Sequence, residues 1–355
     1  MISAVATLSI APSRGVGLLR RHYDAALGVA PGNDLGQLVA TSSVRFRLAT
    51  QTSLVYGLAQ ETEQSRFRVA YTAGVLALVF DFDDTLVPDS TTKLLQRAGI
   101  DTDRFWRKDA QELVAAGYDQ PFAYLKLILD MVGPDKPLGG LTVEGLRDFG
   151  SELDGDFYPG LPDVIDELRR IVDEYRDVSI EFYIISGGIE AVIEGSAIVR
   201  EKFDGWYGCL LAGDEQTGVL RYIRRCITFT EKTRYLFEIN KGIRKEDSSS
   251  NPYLVNKEMA QQDRRIPFKN IIYVGDGLTD IPCFSLVKSM GGVAFGVFQP
   301  GEESSAKKAF LEFLQPGRVV SVHAPRYRKE DELGALLRAA VATRCSQIQL
   351  ERKGA

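Results

Sequence analysis

Hydrophobic and polar positions show little order over the first seventy or so residues, and then the pattern sharpens. Residues 75–80 form an unbroken apolar run closed by polar residues. A run of that length predicts a strand buried on both faces, as in parallel sheets. Residues 178–185 and 270–274 read as further strands, with later ones at 292–297 and 319–322. Between them, apolar residues recur at helical spacing over 91–98, 102–116, 121–131, 142–153 and 161–175. Gly99, Gly117, Gly133-Pro134 and Pro159-Gly160 punctuate these stretches. Segments 207–212 and 218–223 flank a polar Gly-Asp-Glu-Gln-Thr turn and predict a hairpin. Helices are expected from Gly188 onward, over 231–240 with Thr230 as its N-cap, and over 278–288.

Strands alternating with helices imply an α/β fold with a doubly wound parallel sheet. The all-helical stretch 88–176 reads as a cap inserted into a core of residues 74–87 and 177–325. Residues 243–266 lie in a polar stretch containing Ser248-Ser249-Ser250-Asn251-Pro252 and read as a surface insertion. Residues 326–355 form a C-terminal helix and tail. Residues 1–73 form an appendage, expected to be partly disordered, with no repeat and no catalytic pattern.

Composition narrows the function. The chain has 355 residues, 45% hydrophobic, enough for a sizeable core. A formal net charge of -5 gives no general attraction to nucleic acid or anionic lipid. The Arg221, Arg224, Arg225 group reads as a solvated face. Cys209, Cys226, Cys283 and Cys345 are scattered, so neither a zinc site nor a disulfide framework is expected, and a reducing compartment fits. His22 and His323 have no recognisable nucleophile beside them, which argues against a histidine-based triad. No apolar run is long enough to span a bilayer. The first residues carry Arg14, Arg20 and Arg21 with no acid before Asp24, a weak likeness to an organelle transit peptide; a cytoplasmic enzyme is the main expectation.

Chemistry gathers where strands end. Asp81-Phe82-Asp83-Asp84-Thr85-Leu86 closes the first buried strand. Ligands of open α/β sheets bind outside the carboxyl ends of the strands. Carboxylates packed this closely repel one another unless a cation compensates, and all-oxygen ligands suit Mg²⁺. Ser186-Gly187-Gly188 ends the next strand, where a hydroxyl and free backbone N–H groups form a small anion site. Lys232 opens a helix from which it can reach the same edge; Lys241, Lys257 and Lys269 are less well placed. Gly275-Asp276-Gly277-Leu278-Thr279-Asp280 again ends a strand in a carboxylate between glycines. Taken singly, these are an acidic turn, an N-cap, a surface lysine and a helix-dipole aspartate. Their order, with a strand in front of three of them, is the stronger signal.

That order resembles the haloacid dehalogenase-like superfamily of phosphatases, with Asp81 to Leu86 as its first motif. Ser186 is similar to the second, Lys232 to the third and Asp276 to Asp280 to the fourth. The resemblance spans about 74–322, and the helical insertion looks like the cap of the phosphoserine phosphatase-like branch. Asp84 stands where many members carry Gly or Ser, and the acid that phosphoserine-specific members use for the substrate amine has no clear counterpart, Asp89 being near. The resemblance implies Asp81 as nucleophile, forming an aspartyl-phosphate, and Asp83 as general acid and then base. It implies Mg²⁺ held by Asp81, the Asp83 carbonyl and Asp276. It implies phosphate contacts from Ser186, Gly187, Lys232 and Thr85, with Asp280 in support. A cap points to a small phosphorylated metabolite, without nucleic-acid or membrane partners, on a monomer or homodimer. A phosphotransferase or mutase, or a non-catalytic phospho-ligand binder, are the competing readings. Substrate choice is assigned to the cap, with Asp89, Arg97, Phe105 and Tyr124 as candidates.

Overall fold

The computed structural model describes residues 74–353; the appendage at 1–73 and the last two residues lie outside them. Seven strands form one sheet in the order β4-β3-β2-β1-β5-β6-β7. They are β1 (Val75–Phe80), β2 (Ser179–Ile189), β3 (Gly205–Gly213), β4 (Leu220–Arg225), β5 (Ile271–Gly275), β6 (Val293–Val297) and β7 (Ser321–His323). Only the β3–β4 pair is antiparallel, the predicted hairpin. The chain winds outward from β1 to β4 and returns to pair β5 against the other side of β1, so the topological switch falls between β1 and β5. All six residues of β1 are buried, as an apolar strand covered on both faces must be.

Between β1 and β2 come α1 (Ser90–Arg97), α2 (Ala110–Ala115), α3 (Gln120–Asp130), α4 (Val143–Glu152) and α5 (Asp163–Asp173). Then follow α6 (Glu190–Gly195), α7 (Ala197–Lys202), α8 (Glu231–Lys241), α9 (Lys245–Ser250), α10 (Ile281–Ser289), α11 (Glu303–Lys308) and α12 (Glu332–Lys353). Helix α5, within the stretch read as cap, packs on β2 and α12 and so belongs to the layer that covers the sheet. Its apolar residues Val164, Ile165, Leu168 and Val172 are buried at helical spacing. Helix α4 lies against α6 because two glycines permit it. A Cβ on Gly150 would sit 2.0 Å from the Val192 carbonyl oxygen, and one on Gly195 would sit 2.1 Å from that of Arg147.

Five sequence expectations need adjustment. The strand through Ser186 continues to Ile189, so its helix starts at Glu190 rather than Gly188. Thr230 takes helical dihedrals and its side chain makes no cap bond; its carbonyl already accepts from the Thr233 N–H. The last strand is Ser321–His323 rather than 319–322, although the Val320 N–H still reaches the Ala294 carbonyl at 2.8 Å. His323 does have a hydroxyl beside it. One ring nitrogen lies 2.8 Å from Ser321 Oγ and the other 3.0 Å from a carboxylate oxygen of Glu332. The Glu332 side chain is 84% exposed, so water damps the charge a triad would need. The polar stretch 243–266 is folded: it carries α9, and Lys241 Nζ donates to the carbonyls of Val255 and Lys257. Among the described residues no helix is long and apolar enough to cross a membrane.

Candidate active site

The carboxyl ends of β1, β2 and β5 deliver Asp81, Ser186 and Asp276 to one cavity of about 170 Å³. Asp81 is held on both oxygens: the Phe82 N–H donates to Oδ1 at 2.8 Å, and Lys232 Nζ donates to Oδ2 at 2.8 Å. Lys232 reaches it from the first turn of α8 with no exposure at all and also donates to Asp280 Oδ1 at 2.7 Å. Burial pulls the lysine's proton affinity down, but Asp280 and then Asp81 outweigh it, and the ammonium is held above its ordinary range. Burial first, then repulsion from Asp280, push Asp81 up to about 6 even with Lys232 beside it.

Asp280 is fully engaged. Its Oδ1 also accepts from the Tyr273 hydroxyl at 2.7 Å, and its Oδ2 from the Gly277 N–H at 2.9 Å. These bonds place it to hold Lys232 in position. Asp276 has only the distant Lys308 Nζ, at 3.7 Å, as counter-ion. Burial, then Asp81 and Asp280, drive it well above the carboxylate range. Asp81, Asp276 and Asp280 each place an oxygen within 4.8 Å of the others. Three carboxylates against one ammonium leave uncompensated negative charge, and the donors are all oxygen. That set fits Mg²⁺ on Asp81 and Asp276, the two with room to coordinate.

Asp83 and Ser186 complete the cavity. Asp83 Oδ1 accepts from the Ser90 N–H at 2.8 Å, and its Oδ2 packs on the bare α-carbon of Gly188. Burial first, then the charge of Asp89, raise it well above a free carboxylate. Ser186 Oγ accepts from the Gly188 N–H at 2.9 Å, which leaves its own proton free for a ligand. Asp84 sits at φ +55, the left-handed region, which is why a glycine can serve there and why aspartate, more than a branched residue, is tolerated. Thr85 is fully buried and does not line the cavity; its carbonyl accepts from the Tyr327 hydroxyl at 2.7 Å. Lys232 likewise stands behind Asp81 instead of on the cavity wall.

From the cap, Asp89 and Tyr124 line the cavity, whereas Arg97 and Phe105 do not. Arg97 pairs with Glu152 at the surface, 2.5 Å apart, and Phe105 is buried in the cap. Tyr124 donates its hydroxyl to the Gly187 carbonyl at 2.6 Å, tying the cap to the Ser186-Gly187-Gly188 segment. Sequence reasoning missed Thr91, Trp106, Gln120 and Thr279 on the wall. Trp106 carried a signal, being one of two tryptophans in the chain; the others carried none. It also missed Gln299, which donates to the Asp84 carbonyl at 3.0 Å and accepts from the Tyr158 hydroxyl at 3.1 Å.

No family model matches the chain. It is similar to an uncharacterised protein of Borreliella burgdorferi, 28% identical over 262 residues, covering 67% of this chain and 88% of that one. Among solved structures it is similar to a HAD family hydrolase of Salmonella enterica serovar Typhi: 17% identity, TM-score 0.43, 67% of this chain and 66% of that one. It is also similar to a haloacid dehalogenase-like family hydrolase of Streptococcus pneumoniae, at 13% identity and TM-score 0.31, covering 74% and 98%. All four motif segments converge at the carboxyl edge of a mostly parallel α/β sheet, beside its topological switch.

Proposed function

We propose that the chain is a Mg²⁺-dependent phosphohydrolase that cleaves a small phosphorylated metabolite through an aspartyl-phosphate on Asp81. The observation that carries this reading is the fixed Asp81 carboxylate, clamped by Lys232 and the Phe82 N–H, in one cavity with Asp83 and Ser186. Asp81 and Asp276, with the Asp83 carbonyl, would hold Mg²⁺, which when bound draws charge from phosphoryl oxygens. Asp81 attacks phosphorus as the bond to the leaving oxygen breaks. Asp83, whose proton affinity is raised by burial and then by Asp89, gives that oxygen its proton. The resulting Asp83 carboxylate takes a proton from the water that attacks the phosphoryl group and frees Asp81. Ser186 donates to a phosphoryl oxygen, and Lys232 keeps Asp81 ionised and aimed. The cavity's small volume supports a small substrate.

The test is phosphate release from a panel of phosphomonoesters with Mg²⁺, with chelator, and with Asp81→Asn. Turnover should need the metal and fall by about 10⁴-fold or more in the variant. More than about a tenth of the activity in Asp81→Asn, or full activity in chelator, would remove Asp81 from the nucleophile's role or the metal from the reaction.

A further inference from the structure

A second cavity, of about 290 Å³, lies between the β3–β4 hairpin and helices α8 and α9. It shares no lining residue with the carboxylate cavity and carries the opposite charge. Arg224, Arg225, Arg234 and Lys245 line it together with Tyr207 and Tyr235, and no Asp or Glu is among the lining residues.

Three of these cations are set in place. Arg225 Nε and Nη2 donate to the Gly208 carbonyl at 3.1 and 2.9 Å, and Nη2 also pairs with Glu190. Arg234 donates to Glu231 at 2.7 Å and to Glu238 at 3.0 Å. Lys245 reaches Glu190 at 2.8 Å. The guanidinium carbons of Arg225 and Arg234 lie 5.6 and 5.4 Å from the centre of the Tyr235 ring, which stacks on Tyr207 at 4.5 Å. Four cations thus meet three carboxylates, none of them on the lining. The fourth cation, Arg224, is exposed and has no ion pair or side-chain hydrogen bond among the described residues. Tyr235 adds a second unmet group. It is 1% exposed, and its buried hydroxyl has no hydrogen-bond partner among the described residues. Such groups are rare, because burial takes away the bonds that water gave them.

We propose that this cavity binds a phosphate-sized dianion, inorganic phosphate or the phosphoryl end of a phosphomonoester, with Arg224, Arg225 and the Tyr235 hydroxyl as donors. The inference does not depend on the phosphohydrolase reading. Guanidinium groups present paired N–H donors that match phosphate oxygens. Arg224 has its whole guanidinium to give, and Nη1 of Arg225 makes no bond among the described residues. A dianion gains from the surplus positive charge, which a neutral ligand cannot use, and a lining without acids offers it no repulsion. It also supplies the acceptor that Tyr235 lacks. Arg225 and Arg234 are already held by their other bonds, so little order remains to be imposed on binding. The volume leaves room beyond the anion for a small organic group.

The full chain is titrated in chelator, by calorimetry, with inorganic phosphate and with methylphosphonate, against chloride at equal ionic strength. Without metal, the carboxylate cavity repels both anions. Binding at one site per chain is expected, weakened about tenfold in Arg224→Ala and by less in Tyr235→Phe. The first variant removes an exposed side chain without a partner and the second only an unpaired hydroxyl, so both should keep the melting temperature. Ser186→Ala is the control for the other cavity and should bind phosphate as the unaltered chain does. Methylphosphonate binding as tightly as phosphate extends the site to phosphomonoesters; binding of phosphate alone assigns it to the free ion. Heat no greater than with chloride, full affinity in both Arg224→Ala and Tyr235→Phe, or loss of binding in Ser186→Ala overturns the proposal.

Discussion

The molecule buries charge in two places and treats them oppositely. Under α6, Glu190 is 5% exposed. It accepts from the Gly208 N–H at 2.9 Å and pairs with both Arg225 and Lys245, the latter at 2.8 Å. The buried carboxylate is answered by two cations of the chain itself. At the carboxyl edge of the sheet, Asp81 and Asp280 share Lys232, Asp276 has the more distant Lys308 at 3.7 Å, and Asp83 has a backbone N–H but, among the described residues, no cation. Desolvating ions costs several kcal/mol each, so a fold keeps an unbalanced set only where something outside the chain completes it. Balance marks a structural cluster; deficit marks a site.

Three measurements can break or sharpen that contrast. The largest effect should come from Glu190→Ala, which strands Arg225 and Lys245 and should cost about 3 kcal/mol in urea unfolding. Asp81→Asn, by removing one repelling charge, should leave the metal-free protein as stable or more so. If both variants destabilise alike, the two clusters do not differ in kind. Next is Gly188→Ala, whose Cβ would meet Asp83 Oδ2 at 2.4 Å. Displacing Asp83 should lower kcat by about 10²-fold with the melting temperature nearly unchanged. An equal drop in stability would make Gly188 a packing residue only.

The smallest effect is in pH. Asp81 and Asp84 rise from 3.8 to about 6 on folding, burial being the first cause for each. The folded chain then holds these protons more tightly than the unfolded one. Their contribution is complete below 3.8 and is lost as pH climbs through about 6. Metal-free protein should therefore lose up to about 1.4 kcal/mol per pH unit per group across that window. Denaturation in chelator measures the slope, and Asp81→Asn should make it shallower. A slope of opposite sign would mean that Lys232 dominates the cluster.

Much of this was legible in the chain itself, for a physical reason. Residues 75–80 are apolar throughout because the strand is covered on both faces, and Asp81 and Asp276 stand where such strands end. Those are local signals. The wall residues were not legible in the same way. Phe105 and Arg97 looked as suitable as Asp89 and Tyr124, and Trp106 was passed over, because helical spacing does not say which side of a cap helix meets the core. Tyr327 and Gln299 act through tertiary contacts with no sequence mark, and Thr230 showed that a good capping residue need not cap. The folded state of 243–266 was hidden because its polar residues are tied by backbone carbonyls and a buried serine, not by an apolar stripe.

The clamp on the nucleophile loop has a consequence for the order in which the protein is made. Tyr327 donates its hydroxyl to the carbonyl of Thr85 across 242 positions of sequence. Gln299 reaches the Asp84 carbonyl across 215. At ribosomal speeds of 5–20 residues per second, the Asp81 segment leaves the ribosome roughly 10–50 s before the residue that pins it. Its partner strand β5, Lys232 and Asp276 also come later. On the proposed function, a nascent chain thus carries Asp81 long before the rest of its site exists, and competence would arrive as a single late event rather than in stages.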